Sequence, residues 1–284
     1  MASRGTLEAG LAKLDIFNPF AAPVFHAKTL SSTMDVSKAI AGSGIAVNNV
    51  AASNGTVVCA DFQENGRGRN TGRKWDSGRM ESLLFTLRLC FPGGAFPAAL
   101  TLKAGLAAAL AIEDFTPSLS GRAMVKWPND IMLPVPASLP DEKPVYRKAA
   151  GILTEAQNAD VHIGIGVNIL QTGFPQELHE KATSIAIASQ TEIEAAQRFV
   201  LLEKMLVRLH EWLNNSDAND LWRSEIKAKL YKRGEKVLFA EGSTDSPKML
   251  EGTVSGIGAG GELLIVPEGS GKERAVVCGE LRLA

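Results

Sequence analysis

The residues best suited to chemistry lie in a loop between two predicted strands, residues 63–75 (QENGRGRNTGRKW). Arginine side chains can form paired hydrogen bonds to phosphate or carboxylate groups, and glycines let a backbone approach a ligand closely. Trp75 adds a flat face on which a purine can stack. The loop therefore favours an anionic ligand that carries a base, although loops rich in glycine and arginine are also often merely solvated.

Three shorter clusters further along the chain could join this loop. Residues 126–130 (KWPND) place a phosphate-binding lysine and a carboxylate suited to Mg²⁺ or an amine on either side of Pro128. Residues 147–155 (RKAAGILTE) bring another lysine to the start of a strand, and residues 164–168 (GIGVN) contain alternating glycines. Each cluster alone is weak evidence for a ligand site. A lysine before a strand is most often a charge at a sheet edge, and alternating glycines most often allow close packing.

The pattern around these clusters predicts the elements that must position them. Runs of β-branched and aromatic residues predict strands over residues 55–62, 83–91, 123–127, 149–156 and 161–170. A first helix begins near Ser32 or Thr33, either of which can cap it, and Gly42 and Gly44 are its stop signals. The Ala- and Leu-rich segment 97–115 predicts a core helix against those strands.

Two further predictions concern the middle of the chain. Prolines mark the segment 134–146, so we expect it to stay out of the sheet as an exposed loop inserted between neighbouring strands. Thr191 and Glu194 form a capping-box pattern that would open the longest helix, ending near Trp212. Its apolar face predicts core packing by Phe199, Leu202, Met205, Leu206, Leu209 and Trp212.

After Gly234 the chain changes to short strands separated by turns. EKVLF, MLEGTVSGI, GELLIV and ERAVV follow one another, which predicts a small β-barrel or sandwich module. Residues 256–261 match G-x-G-x-x-G, the dinucleotide-binding pattern. That pattern must follow a strand and open a helix, whereas here Gly261 leads into another strand, so we interpret it as a hairpin turn.

Composition excludes several classes of function. The 284 residues include 30 Lys and Arg against 31 Asp and Glu, so no global basic field favours general nucleic-acid binding. The three Cys are far apart and the four His lack metal-ligand spacing, so we predict no disulfide framework and no metal site of protein ligands. No apolar stretch reaches the roughly 20 residues of a membrane span. We expect a soluble cytoplasmic protein, with a mitochondrial location as the weaker option.

The order of the clusters resembles that of the biotin–protein ligase family, in its form without a DNA-binding domain. The motifs in order are S-S-T, G-R-G-R with G-R-K-W, K-W-P-N-D, K-x-x-G-I-L-x-E and G-x-G-x-N, followed by the β-module. The resemblance implies an α+β fold, with a class II synthetase-like mixed sheet flanked by helices and a small C-terminal SH3-like β-barrel. It covers the chain from about Phe25 onward and implies a catalytic domain (24–230) and the SH3-like domain (231–284). Residues 1–23 lie outside the resemblance, and their low periodicity and prolines predict an irregular N-terminal extension.

The resemblance also implies a role for individual residues. The implied biotin-binding set is Ser32, Thr33, Met34, Gln63, Gly66, Arg67, Gly68, Arg69, Lys148 and Gly151. The implied ATP-binding set is Arg69, Trp75, Lys126, Asn129, Lys148 and Asn168. The implied catalytic set is Lys148, Arg67, Arg69, Lys126 and Asp130, the last for transfer to lysine. Met34 stands where some relatives have Asn, so one biotin contact is either missing or supplied by Asp35.

The activity implied by the resemblance has two steps. Biotin would react with ATP, accompanied by Mg²⁺, to give biotinyl-5′-adenylate, and a lysine of a carboxylase's biotin carboxyl carrier domain would then accept the biotin. A lipoate- or octanoate-handling ligase or transferase of the related fold is the alternative. A DNA-bound regulator is disfavoured because 23 residues are too few for a helix-turn-helix module, and a non-catalytic carrier-binding module would not need the lysines and arginines. We expect no DNA and no membrane partner, and homodimerisation stays open.

Overall fold

The computed structural model describes residues 10–43, 46–47, 50–69, 72, 74–136, 144–214, 221–242 and 248–282. Its strands are β1 (Ala12–Lys13), β2 (Val24–Ala27), β3 (Ala46–Val47), β4 (Val50–Ala51), β5 (Val57–Ala60), β6 (Ser82–Cys90), β7 (Met124–Lys126), β8 (Asp130–Val135), β9 (Val145–Gln157), β10 (Asp160–Asn168), β11 (Lys236–Glu241), β12 (Lys248–Ile257), β13 (Leu263–Pro267), β14 (Arg274–Val276) and β15 (Gly279–Arg282). Its α-helices are α1 (Thr33–Ser43), α2 (Leu100–Phe115), α3 (Ile185–Ser189), α4 (Gln197–Asn214) and α5 (Leu221–Lys229).

Eight strands form the main sheet, in the order β1-β2-β5-β6-β10-β9-β8-β7. β2 and β5 run parallel, and the other neighbouring pairs run antiparallel, so the sheet is mixed. Helices lie on both of its faces. This confirms the predicted α+β class with a mixed sheet flanked by helices.

The two faces of the sheet differ because side chains alternate along each strand. On β10, Ile163, Ile165 and Val167 belong to the main core that the apolar helices α2 and α4 complete. The intervening residues, Gly164 and Gly166, open onto the opposite face. Helix α1 lies on that face and buries Ile40 against a small second core. One face is therefore a packed core, and the other leaves room for a ligand beside α1.

The C-terminal module is a five-stranded antiparallel sheet in the order β14-β13-β12-β11-β15. The turn between β12 and β13 is a hairpin in which Gly258 N donates to Glu262 O, as predicted for the glycine-rich pattern there. Trp127 fastens this module to the main sheet, since its Nε1 donates to Gly261 O at 2.9 Å and its ring lies 5.8 Å from that of Phe239. β15 is one strand more than the sequence predicts.

Three predictions about elements need correction. Pro134 does join a ladder: it lies in β8 opposite Tyr146, so the predicted exposed loop over 134–146 is wrong at both ends, and residues 137–143 lie outside the described residues. The capping box of Thr191 and Glu194 is wrong, because α4 begins only at Gln197. Residues 10–23 are not wholly irregular, since β1 pairs with β2 at the sheet edge.

The helices in the described part of the chain are short or carry several charges. None of the helices there combines the length and the apolar character needed to cross a membrane.

Candidate active site

The floor of the cleft is a patch of glycines on the open face of the main sheet. Gly164 and Gly166 are two residues apart on β10, so they share a face, and Gly151 of β9 pairs directly with Gly166. Thr86 of β6 pairs with Gly164 from the other side. Because three of these positions lack a side chain, a flat group can lie directly against the sheet backbone.

Trp75 covers this floor. A Cβ atom on Gly166 would lie 2.6 Å from Trp75 Cε2, and one on Gly151 would lie 3.1 Å from Cζ3, so the ring fits only because both residues are glycine. The indole Nε1 is buried without a hydrogen-bond partner in the described part of the chain. Leaving a buried donor unpaired costs about 1–3 kcal/mol, so this N–H is available to a ligand.

One wall of the cleft carries neutral polar groups. Gln63 Oε1 accepts hydrogen bonds from Thr33 N at 2.7 Å and from Thr33 Oγ1 at 2.9 Å. Thr33 Oγ1 also lies 2.9 Å from Thr86 Oγ1, which links the start of α1 to the sheet. Ser32 and Met34 are buried beside them. These groups can pair with the donors and acceptors of an uncharged polar ring.

The other side of the cleft is cationic. Lys148 Nζ lies 2.6 Å from Asp130 Oδ1 and 5.6 Å from the centre of the Trp75 ring. Lys126 is almost wholly buried nearby. Arg69 reaches across to the C-terminal module, where its NH2 donates to Gly279 O at 2.8 Å. Burying cations together is costly, so a site of this kind favours an anionic ligand.

Arg67 lies at the rim of the cleft and is already paired. Its guanidinium donates to both oxygens of Asp35 and to both oxygens of Glu155. Hydrogen bonds to Asp35 and then to Glu155 raise the pKa of Arg67 above its ordinary value. Asp35, which the sequence analysis names as the possible replacement for a contact missing at Met34, is bound to this loop arginine.

Most of the predicted site residues meet in this single cleft. Its lining includes Ser32, Thr33, Met34, Gln63, Arg67, Gly68, Arg69, Trp75, Lys126, Asn129, Asp130, Lys148 and Gly151. Asn129 is held there by its Nδ2, which donates to Ile152 O at 2.8 Å. Two predicted residues lie outside this lining. Gly66 pairs through its carbonyl with Trp75 N, and Asn168 donates to Thr183 O from a buried position.

The other lining residues were not individually predicted as site residues, although most of them lie within the loop and the clusters named in the sequence analysis. They are Lys74, Phe85, Thr86, Trp127, Pro128, Ile152, Leu153, Gly164, Ile165, Gly166 and Glu280. Strand pairing could have suggested Thr86, since it lies on the same face as the glycine floor. Glu280 carries no sequence signal, because it reaches the cleft only through the docking of the C-terminal module. With five cations and two carboxylates, the lining is positive in a chain whose net charge is −1.

Within the described ranges, no three His, Cys, Asp or Glu residues are grouped so as to hold a metal ion. Any divalent ion that enters with a phosphate substrate would be part of that substrate.

The mixed sheet, its glycine-floored cationic cleft and the small β-module define an α+β protein whose cleft is suited to an anionic ligand that carries a flat ring. The chain belongs to the Biotin/lipoate A/B protein ligase family, whose model matches residues 28–169, half of the 284 residues. The matched range contains every predicted site residue.

Individual relatives agree with this family. The chain is 35% identical over 182 residues to the bifunctional ligase/repressor BirA of Bacillus subtilis (strain 168), covering 61% of this chain and 49% of BirA. It is 28% identical over 188 residues to the biotin–[acetyl-CoA-carboxylase] ligase of Mycobacterium tuberculosis, covering 64% of each. The chain thus spans about half the length of the BirA relative.

Among solved structures, a point mutant of biotin protein ligase from Aquifex aeolicus, in complex with biotin, is similar over nearly its whole length. The TM-score is 0.70 and the identity is 26%, with 92% of this chain and 98% of that chain covered. The similarity includes the C-terminal module as well as the main sheet, because the covered share exceeds the family match.

Proposed function

We propose that this protein is an ATP-dependent biotin–protein ligase, which makes biotinyl-5′-adenylate and transfers biotin to a lysine of a carboxylase's biotin carboxyl carrier domain. One observation carries the proposal: a single cleft joins a neutral polar wall at Thr33 and Gln63 to a cationic side at Lys148 and Arg69, with Trp75 over the floor. Biotin has an uncharged ureido ring and a carboxylate, and ATP supplies phosphates and a purine. The relatives named as biotin ligases support the same activity.

In the first step the biotin carboxylate attacks the α-phosphorus of ATP, and pyrophosphate leaves. Both reactants are anionic, so the site must neutralise charge as they approach. Lys148, Lys126 and Arg69 supply that charge from three different elements. The biotin carboxylate is itself the nucleophile, so this step needs none from the protein. Binding and orientation of the two substrates are its contribution.

In the second step the ε-amine of the acceptor lysine attacks the acyl carbon of the adenylate. An amide forms, AMP leaves, and the amine loses a proton. Asp130 lies in the cleft next to Lys148, and its carboxylate can orient this amine. The adenylate must be kept from water until then, which we assign to the loop that carries Arg67 and Arg69.

The domain organisation of the chain is also a proposal. Residues 24–230 form the catalytic domain, and residues 231–284 form a module that helps to enclose the cleft. The hydrogen bond from Arg69 to Gly279 O and the placement of Glu280 in the lining support this. The cytoplasm is the proposed location, supported by three cysteines that are all free thiols.

Biotin-dependent exchange of labelled pyrophosphate into ATP tests the proposal. The purified chain is assayed with biotin, lipoate and octanoate in parallel, and a Lys148→Ala variant serves as the matched control. We expect exchange with biotin and a large loss in the variant. Exchange only with lipoate or octanoate would assign the chain to the alternative branch, and no exchange with any acid would overturn the proposal.

A second assay tests the transfer step. Biotinyl-5′-adenylate is supplied directly, with a biotin carboxyl carrier domain as acceptor, and biotin incorporation is read by mass spectrometry. Incorporation at one lysine is expected, and the same carrier with that lysine changed to arginine is the control. Labelling that is equal in both carriers would show that the chain releases the adenylate rather than directing its transfer.

A further inference from the structure

Lys148 and Gly151 both line the cleft, although they are three residues apart on β9. Side chains alternate along a regular strand, so residues an odd number apart lie on opposite faces. Ala150 and Ile152 follow this rule, because both belong to the main core on the other face of the sheet. Lys148 does not follow it: a Cβ atom on Gly151 would lie 3.2 Å from Lys148 Nζ, so the ammonium is on the cleft side. The alternation of β9 must therefore change phase between Ala150 and Lys148.

A β-bulge at Ala149 causes this change of phase. On the neighbouring strand β8, Ile131 pairs with Ala150. The next residue, Met132, pairs with Lys148, so Ala149 has no partner on that strand. Ala149 and Ala150 are both wholly buried in the main core, so two consecutive residues point to the same face. An extra residue of this kind re-aims the side chains that follow it, and here it turns Lys148 towards the cleft.

The other side of β9 changes its partner at the same place. β10 pairs with β9 only as far as Ala150, and beyond it the segment 181–183 lies beside Lys148. Lys148 N donates to Lys181 O, and Thr183 N donates to Lys148 O, both at 2.9 Å. The backbone of Lys148 on this side is therefore held by a separate segment of the chain, and its position depends on how that segment is fixed.

Asn168, the last residue of β10, joins the two successive neighbours of β9. Its Nδ2 donates to Thr183 O at 3.1 Å, across the place where β10 ends and the segment 181–183 begins. A second hydrogen bond acts at the same junction, from Ser184 Oγ to Gln171 O at 2.6 Å. All four of these residues are buried. Because a buried carbonyl left without a donor is costly, the bond from Asn168 fixes the segment in place.

We propose that Asn168 is a positioning residue for Lys148. By binding Thr183 O it holds the segment 181–183 against the bulge at Ala149, and the bulge keeps the Lys148 ammonium on the cleft side of the sheet. This role differs from the ATP contact that the resemblance implies for Asn168. Its effect on catalysis rests on the proposed function, whereas its effect on the backbone of Lys148 does not.

Hydrogen–deuterium exchange tests the effect on the backbone without any activity. Exchange of the Lys148 and Thr183 amides is measured by NMR in the wild type and in Asn168→Ala. Both amides should exchange about tenfold faster in the variant, while amides in the middle of β6 and β10 keep their wild-type rates. Thr101→Val is the matched control, since it removes a hydrogen bond of 3.0 Å to Thr154 on the core face of the same strand. It should leave the two amides unchanged.

A double-mutant cycle in pyrophosphate exchange tests whether Asn168 acts through Lys148. Asn168→Ala should lower kcat by about tenfold, because the ammonium is displaced, and should leave KM for ATP within about twofold. In the Lys148→Ala background the same substitution should lower the rate no further, since no ammonium is left to position. Asn168→Leu, which is similar in shape but has no donor, should match Asn168→Ala. Melting curves verify that each variant is folded.

The outcomes distinguish the two proposals. Faster deuterium exchange at Lys148 and Thr183 in Asn168→Ala, with no pyrophosphate exchange in the wild type, would keep the positioning role and overturn the ligase activity. Wild-type amide rates in Asn168→Ala would overturn the positioning role, whatever the activity assay gives. Rate losses that add up in the double variant would also overturn it, because Asn168 would then act independently of Lys148. A raised KM for ATP with unchanged kcat would overturn it as well and return Asn168 to the ATP site.

Discussion

Lys148 Nζ lies 2.6 Å from Asp130 Oδ1, so the cation proposed to stabilise the reacting phosphate is paired with a carboxylate. Lys148 is on β9 and Asp130 begins β8, two neighbouring strands that pair antiparallel. The pair also lies beside the Trp75 ring. The carboxylate thus stabilises the ammonium, and each member of the pair can serve a different step of the proposed reaction.

Measuring adenylation and transfer separately should distinguish the roles of Lys148 and Asp130. Lys148→Ala should lower kcat/KM for pyrophosphate exchange by roughly 30- to 1,000-fold, since loss of one such cation costs about 2–4 kcal/mol. Asp130→Asn should reduce exchange by less than about tenfold and reduce transfer from supplied adenylate by more. Exchange kinetics and single-turnover transfer measure the two effects. Equal losses in both steps for Asp130→Asn would contradict the assignment.

The glycine floor gives a second prediction. In Gly166→Ala the new Cβ would lie 2.6 Å from Trp75 Cε2, so the indole must move away from its place over the sheet. We expect KM for ATP to rise by about tenfold, which corresponds to about 1.4 kcal/mol. Gly105→Ala on α2 is the control, because its nearest neighbour would be at an ordinary 3.5 Å. That variant should retain KM and should stabilise the fold by about 0.5–1 kcal/mol.

The periodicity of apolar residues was sufficient to predict those helices and strands whose pattern lies within one continuous stretch of the chain. The alternation of β10 and the Ala- and Leu-rich run of α2 are examples, because burial on one face imposes a period on the sequence. β8 was missed since Pro134 normally argues against a ladder. The start of α4 was misplaced because the capping-box pattern at Thr191 is satisfied locally: its Oγ1 donates to Ser189 O, and Glu194 N donates to Gln197 Oε1.

The site was predictable where residues that act together are close in sequence. Arg67, Gly68, Arg69 and Trp75 come from one loop, and the structure places all of them at the cleft. Contacts that depend on tertiary packing could not be read from spacing. Glu280 enters the cleft from the C-terminal module, and the partners of Arg67 lie on α1 and β9.

Asn168 provides a test of a residue that resemblance assigned to ATP. Its side chain donates to Thr183 O at 3.1 Å and is 5% exposed, outside the described lining of the cleft. Asn168→Ala should therefore lower the free energy of unfolding by about 1–3 kcal/mol and leave KM for ATP unchanged. Asn129→Ala, within the lining, should raise KM for ATP. Denaturant unfolding and exchange kinetics measure both, and a raised KM in Asn168→Ala with unchanged stability would restore the ATP role.

Arg69 connects closure of the loop to the C-terminal module. Its NH2 donates to Gly279 O at 2.8 Å, and a glycine in its place would lose both this attachment and the positive charge. Arg69→Gly should therefore release biotinyl-5′-adenylate into solution, where it acylates lysines of bystander proteins. Biotin labelling of added serum albumin, read by blotting, measures the release. Albumin labelling no greater than that by the wild type would contradict this role.

His162 should make the stability of the protein depend on pH. It is fully buried, its Nδ1 lies 2.9 Å from Ser37 Oγ, and burial lowers its pKa from 6.5 to about 4. The imidazole of His162 binds its proton less tightly in the folded state than in the unfolded state. Its contribution to the free energy of unfolding is therefore complete above pH 6.5 and is lost as the pH falls towards 4. The loss by pH 4 should be about 3 kcal/mol. Urea unfolding of the wild type and of His162→Gln at pH 7 and pH 4 measures it, since glutamine can keep the bond to Ser37 but does not titrate. The free energy of unfolding should fall by about 3 kcal/mol more in the wild type, and parallel pH profiles would show that the imidazole is protonated as easily in the folded protein as in the unfolded chain.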